Sequence, residues 1–406
     1  MLLPPIAQVA EALSRTTEAL AQELVCPRPT APPWSEFDWR VARASAAMQG
    51  ISALLCNRLR WQGPPGWQRF LNEQRAQTAA RRQKIATILS DIDARARLEG
   101  MGFVGLKGCA LYAMGLYPDA ARPMGDIDLL VREEERPALT RILEACHYRL
   151  AFDSYRHQVF KPQDIAAAAP DFGEHIDSPI KIEVHTSVAE HLPVQTADIT
   201  TLLFPADLRG GLNPYRSSAA LLMHLLLHAA GNMRARALRF VQLHDIALLT
   251  RSLSPDDRDE LLETRLGTQR LWWAAAPLLM TARYLPGSIP DAWIGELELD
   301  SPTALQRAAR RQQLADVSWS NVRIEAFPGI EWARGLSERC RFMQSRIWPS
   351  REARRELAQG AEQIPGGGQL PWYGVPHAKR IARWIFSNPP RVQTILSVQA
   401  ALAQDS

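Results

Sequence analysis

Two short segments of this chain alternate apolar and polar residues with a period of two. From Asp126 to Val131, Asp126 and Asp128 fall on one side of an extended segment, and Ile127, Leu129 and Val131 fall on the other. From Ile180 to His185, Ile182 and Val184 alternate with Lys181, Glu183 and His185. Both patterns predict half-buried strands with one polar face. Phe103-Val104-Gly105-Leu106 reads as a short buried strand, followed by the small-residue turn Lys107-Gly108-Cys109 and a helical run from Ala110 to Leu116. Tyr148–Phe152 and His157–Phe160 read as paired strands. Glu133–Cys146 reads as an amphipathic helix with Leu139, Ile142 and Leu143 on one face.

On both sides of this stretch a helical period takes over. Residues 6–25 and 39–60 carry it, separated by the proline-rich loop Pro27–Pro33. Gly63-Pro64-Pro65-Gly66 marks a break, and a long helix is predicted from Trp67 to about Glu99. Its basic cluster, Arg75, Arg81, Arg82 and Lys84, reads as a solvated face. After Ser217 and Ser218, which suit helix N-caps, helices are predicted over Ala219–Ala230, Leu238–Arg251, Asp256–Leu266, Arg270–Tyr284, Ala304–Gln313, Ala353–Glu362 and Ala378–Phe386. The expected organisation is a helical module over residues 1–99, a strand-containing core over 100–210 and a helical domain over 211–406. The fold class is α+β: a mixed sheet with helices packed on it, with too few α/β repeats for a doubly wound fold.

Composition narrows the function classes. The 406 residues are enough for a large core, and 46% hydrophobic content is ordinary for a soluble protein. A balance of 47 basic to 43 acidic residues does not demand nucleic acid as a partner; a nucleic-acid acceptor stays open but is not favoured. The five cysteines are scattered without a CxxC pair, so neither a disulfide framework nor a zinc site is indicated, and a reduced cytoplasm fits. The most apolar run, Ala219–Ala230, is interrupted by His224 and His228 and is too short to span a bilayer, so no membrane association is expected.

The polar faces carry the candidate chemistry. Two carboxylates side by side repel unless a cation neutralises them, and hard divalent ions with oxygen ligands do so in phosphoryl-transfer sites. The bland alternative is an edge strand whose acids only meet water. Glu183 is a third carboxylate that could join Asp126 and Asp128 from a neighbouring strand, and His185 either orients it or fills the polar edge of the sheet. The Lys107-Gly108 turn, leading into a helix, suits phosphate. Arg122, four residues before Asp126, could hold phosphate oxygens bidentately. His224 and His228 share a helix face, but position 225 is Leu, so the HExxH zinc pattern is absent. Arg239 either pairs with Asp245 or reaches a triphosphate.

The set Lys107, Gly108, Leu111, Arg122, Asp126, Asp128, Glu183 with His185, and His228 follows a recognisable order. Leu238-Arg239 and Asp245-Ile246-Ala247-Leu248-Leu249 extend it. This order resembles the polymerase-β-like nucleotidyltransferase superfamily, and within it a bacterial branch described as uncharacterised nucleotidyltransferases. The resemblance spans roughly residues 100–250. It implies a small mixed-sheet nucleotidyltransferase core flanked by N- and C-terminal helical modules. It also implies Mg²⁺ or Mn²⁺ on the catalytic acids Asp126, Asp128 and Glu183, and an NTP held by Lys107, Gly108, Arg122, His228 and Arg239. The implied reaction transfers a nucleoside monophosphate to a hydroxyl on a small molecule, a peptide or protein, or an RNA end. One departure stands out: the superfamily has Gly-Ser at the turn, and here it is Gly108-Cys109. That departure sustains a rival reading, a non-catalytic nucleotide sensor or partner-binding protein on the same fold.

Overall fold

The computed structural model describes residues 4–350 except 119, 154–156, 165–172, 267–270 and 320–326, and beyond 350 only Lys379, Ile381, Ala382, Ile385, Phe386, Val398 and Leu402. Four helices open the chain: α1 (Ile6–Val25), α2 (Glu36–Met48), α3 (Ser52–Arg58) and α4 (Pro65–Leu98). The sheet region follows as β1 (Gly102–Gly105), α5 (Gly108–Ala113), β2 (Asp126–Leu130), α6 (Arg136–Ala145), β3 (Tyr148–Asp153), β4 (His157–Pro162) and β5 (Lys181–His185). The hairpin β6 (Ala189–Leu192) and β7 (Gln195–Asp198), the short α7 (Thr200–Leu203) and β8 (Gly211–Asn213) complete it. The remainder is helical: α8 (Ser218–Ala235), α9 (Phe240–Ser252), α10 (Pro255–Leu266), α11 (Ala275–Tyr284), α12 (Asp291–Glu298), α13 (Thr303–Arg311), α14 (Leu314–Ser318) and α15 (Leu336–Ile347). The helix expected over Ala353–Glu362 lies outside the described residues. Of the one expected over Ala378–Phe386, the described residues are helical.

The helical run expected over residues 39–60 is broken into α2 and α3. Gly50 adopts φ +68°, a conformation that favours glycine and ends the first helix. The break has a use. The Gln49 side chain accepts the Phe240 N–H at 2.7 Å and its carbonyl accepts the Val241 N–H at 3.2 Å, satisfying the exposed donors that begin α9. α2 starts on a reciprocal cap between Ser35 and Asp38, and α8 starts where Ser217 accepts the Ala220 N–H at 3.0 Å.

The six-stranded sheet has the order β3-β4-β5-β2-β1-β8. β2 runs parallel to β5 and antiparallel to β1, while β8 lies parallel to β1, so the sheet is mixed and the class is α+β. Ile127, Leu129 and Val131 pack on one face with Ile85 and Ile92 of α4 and Leu139, Ile142 and Leu143 of α6. The other face carries Val104, Leu106 and Leu130 into a larger core that also holds Leu20 of α1, Trp67 of α4 and the apolar residues of α8 and α9. The N-terminal helices, the sheet and the C-terminal helices therefore share buried surface. The acidic face of β2 looks toward α8.

Candidate functional site

Strand register assembles the polar face. Because β2 and β5 are parallel neighbours, Asp126 stands opposite Lys181, Asp128 opposite Glu183 and Leu130 opposite His185. β4 adds His157 opposite His185. Asp128 lies at the centre. Its Oδ1 receives the Lys107 ammonium at 3.0 Å and the His185 Nε2 at 3.0 Å. The Glu183 carboxylate lies 3.7 Å from both His185 Nε2 and His157 Nε2. Ligand atoms, one each from Asp128, Glu183 and His185, lie within 4.8 Å of one another, a donor set of two oxygens and one nitrogen that a divalent cation could share.

The electrostatics fit a site that calls for positive charge. Burial would raise the Asp128 pKa, yet the Lys107 ammonium and the His185 hydrogen bond hold it well below the usual carboxylate range. Burial and the Asp128 charge push both Asp126 and Glu183 upward. Burial opposes the Lys107 charge, but the Asp128 and Asp126 carboxylates outweigh it and raise the pKa of the amine. The acids thus crowd one another, and one ammonium answers them.

The turn that delivers this ammonium is unusual. Lys107 has φ 46° and ψ −109°, a region where a Cβ is crowded and glycine is the ordinary occupant. Such a residue stores about 1–3 kcal/mol of strain and persists only where its surroundings over-determine it. Gly108 follows because a Cβ there would collide with Met124 Sδ and lie 2.7 Å from an Arg122 guanidinium nitrogen. Cys109 is buried in the apolar cluster beneath the sheet, with the Asp128 backbone N–H on its sulfur, and burial pushes its thiol up to about 12. The residue that departs from the superfamily turn therefore faces the core.

Arg122 is held elsewhere than on the polar face. Its Nε and one terminal nitrogen reach the two Asp245 oxygens at 2.8 Å each, and both residues are buried. Tyr117 adds its hydroxyl to the same carboxylate at 2.6 Å and also meets His244 Nδ1 at 2.9 Å. The sequence reading offered Arg239 as the partner of Asp245; the partner is Arg122. Arg239 is exposed, and its charge acts on Asp126 and Glu174. A second correction concerns Arg81, read as part of a solvated helix face. It is 3% exposed, pairs with Glu174 and donates to the carbonyls of His175, Ser178 and Gly125. Arg81 thereby ties α4 to the lead-in of β5 and to the residue before Asp126.

His244 yields a pH prediction away from the acids. Burial lowers its pKa to about 4, against an unfolded value near 6.5. The unfolded chain therefore takes up a proton that the folded protein refuses, and the stability tied to the neutral ring is lost as pH falls from about 6.5 toward 4. The stability gap between the wild type and His244→Gln should shrink by roughly 2 kcal/mol between pH 6.5 and 5 in urea titrations. A pH-independent gap would remove His244 from the linkage.

Beside the acids lies a cavity of about 540 Å³, walled by Lys107, Glu183, His185, the β6–β7 hairpin and the α8 residues His224 and His228. His228, expected at a nucleotide cleft, lines it and meets Asn232 at 3.1 Å; burial lowers its pKa to about 3. Of the residues singled out from sequence, Lys107, Glu183 and His228 line this cavity and Asp128 bonds to Lys107 and His185 of its wall, whereas Asp126 neither lines it nor belongs to the donor set of Asp128, Glu183 and His185. Gly108 is part of the turn, with Arg122 packed against it, and the charge of Arg239 acts on Asp126. Tyr215 and the β6–β7 hairpin were not singled out. The hairpin has little alternation to betray it, and Tyr215 sits in a loop without a motif.

The profile of the family described as "Uncharacterised nucleotidyltransferase" matches residues 35–286, well over half of the chain. The protein belongs to that family. The match begins with α2 and ends just past α11, so the nucleotidyltransferase family segment includes the helices around the polar face as well as the sheet. No curated protein matches the chain. Among solved structures, that of the antibiotic-resistance factor ANT(2'')-Ia is similar over 45% of this chain and 94% of its own, at 18% identity and a TM-score of 0.31.

Proposed function

We propose that this nucleotidyltransferase family member transfers a nucleoside monophosphate from an NTP to a hydroxyl acceptor, with a divalent cation. The observation that carries the reading is the convergence of Asp128, Glu183 and the Lys107 ammonium on one polar face. Asp126, Asp128 and Glu183 would hold Mg²⁺ or Mn²⁺, with His185 in reach, and the crowding that raises the pKa values of Asp126 and Glu183 is what such an ion relieves. When bound, the cation screens charge on the phosphate oxygens of an in-line displacement. Lys107 places a second positive charge beside the phosphates, and Glu183, whose pKa is raised, takes the proton of the attacking hydroxyl. Arg239, exposed and acting through its charge on Asp126, would meet the outer part of a triphosphate. Arg122 contributes by holding the turn.

The cavity supports a small acceptor. Its volume suits a molecule of modest size or one side chain rather than a polymer. Among the described residues its lining has no arginine, and five of the nine histidines of the chain contribute to it, which supports a triphosphate at the Lys107 end of the cavity and an acceptor among the histidines. Incubating the protein with each NTP, Mg²⁺ and a metabolite extract should release pyrophosphate and add a nucleoside monophosphate mass to one acceptor. Absence of any NTP binding would refute the reading.

A mutation series checks the phosphate grip. A charge-assisted hydrogen bond is worth about 1.5–3 kcal/mol, so Lys107→Ala should weaken a non-hydrolysable NTP by roughly ten- to a hundredfold. Cys109→Ser should leave affinity unchanged, because the side chain at that position is buried away from the cleft. Calorimetric titration decides both. A gain of affinity in the serine variant would show that position 109 faces the phosphates after all.

A further inference from the structure

Position 107 combines a lysine with a backbone shape that suits glycine, and it has a dedicated support. The Lys107 N–H donates to the Tyr215 hydroxyl at 3.1 Å, and that hydroxyl meets His224 Nδ1 at 2.8 Å. Tyr215 is buried in the loop between β8 and α8, and His224 is buried on α8. The Tyr215 oxygen accepts from the Lys107 N–H and shares a second hydrogen bond with His224 Nδ1, in which the imidazole tautomer sets the donor. Burial keeps the tyrosine protonated and the histidine uncharged near neutral pH, so the contact is one between neutral groups.

We infer that Tyr215, backed by His224, is a positioning residue that holds the strained Lys107 turn so that its ammonium stays on the acid cluster. The inference rests on the proposed role of Lys107 in holding the nucleotide. A glycine at position 107 would adopt the turn without help, but it would bring no charge. A lysine brings the charge and needs the backbone held from the opposite side. The hydroxyl supplies that hold from a part of the chain 108 residues away. His224 also lines the cavity, so the same two side chains connect the cavity wall to the turn.

The test is a double-mutant cycle in the full-length protein, using Mg²⁺ with the α,β-methylene NTP analogue that binds most tightly. Tyr215→Phe removes only the hydroxyl and should weaken analogue binding by about three- to tenfold, the range for one lost neutral hydrogen bond. Mn²⁺ binding to the acids, followed by EPR, should be unchanged. In a Lys107→Ala background, Tyr215→Phe should have little further effect, because the group it positions is gone. His224→Gln should reproduce a weaker form of the Tyr215→Phe effect. Equal losses from Tyr215→Phe in both backgrounds, or no loss in the wild-type background, would overturn the inference while leaving the role of Lys107 intact. No effect of Lys107→Ala by itself would overturn the proposed phosphate grip, and this inference with it.

Discussion

Asp128→Asn is expected to lower nucleotidyl transfer by about a thousandfold or more while the protein stays folded. Asp128 is 6% exposed and sits between the Lys107 ammonium and the His185 imidazole, opposite Glu183 on the next strand. Asparagine has nearly the same shape, so the packing of β2 is kept. What is lost is the charge that organises the site: Lys107 and His185 lose their common anionic partner, and the proposed divalent cation would lose one oxygen ligand. Mn²⁺ affinity should fall in parallel with activity, whereas the thermal midpoint should move little. Near wild-type turnover in this variant would mean that the acid cluster is not the reaction centre. Loss of turnover together with unfolding would instead mark Asp128 as a structural residue, and circular dichroism separates the two outcomes.

Asp245→Ala should be the most destabilising single change on the helical side of the site, at about 3–5 kcal/mol in urea unfolding. The carboxylate accepts two guanidinium nitrogens from Arg122 and the Tyr117 hydroxyl, all away from water. Removing it leaves a buried guanidinium with no counter-charge. Arg122→Lys with Asp245 in place should also destabilise, since an ammonium cannot make the two-pronged contact. The pair joins the segment before β2 to α9, so partial loss of activity should accompany the loss of stability. A cost under about 1 kcal/mol would show that water replaces the carboxylate, and that the pair is not what anchors the segment.

The sequence by itself determined the parts whose signal lies within a few residues. Alternation around Asp126–Val131 and Ile180–His185 located β2 and β5 and told which side chains share a face. Ser217 marked the start of α8, and the proline–glycine break before Trp67 marked the start of the long α4. The order of the turn, the paired aspartates and the later glutamate was also enough to suggest the family. The tertiary structure alone decided which polar groups meet across distance. Asp245 took Arg122 rather than Arg239, and Arg81 left the solvent to hold the lead-in of β5. The strained Lys107 turn came to rest on Tyr215. These pairings join residues 94 to 123 positions apart. No local period encodes them, because the cost of leaving a buried charge or donor unpaired arises only once the chain has closed around it. The same reasoning covers β8 and the split at Gly50: a three-residue edge strand has too little period to read, and a helix break becomes visible only when Gln49 turns to cap α9.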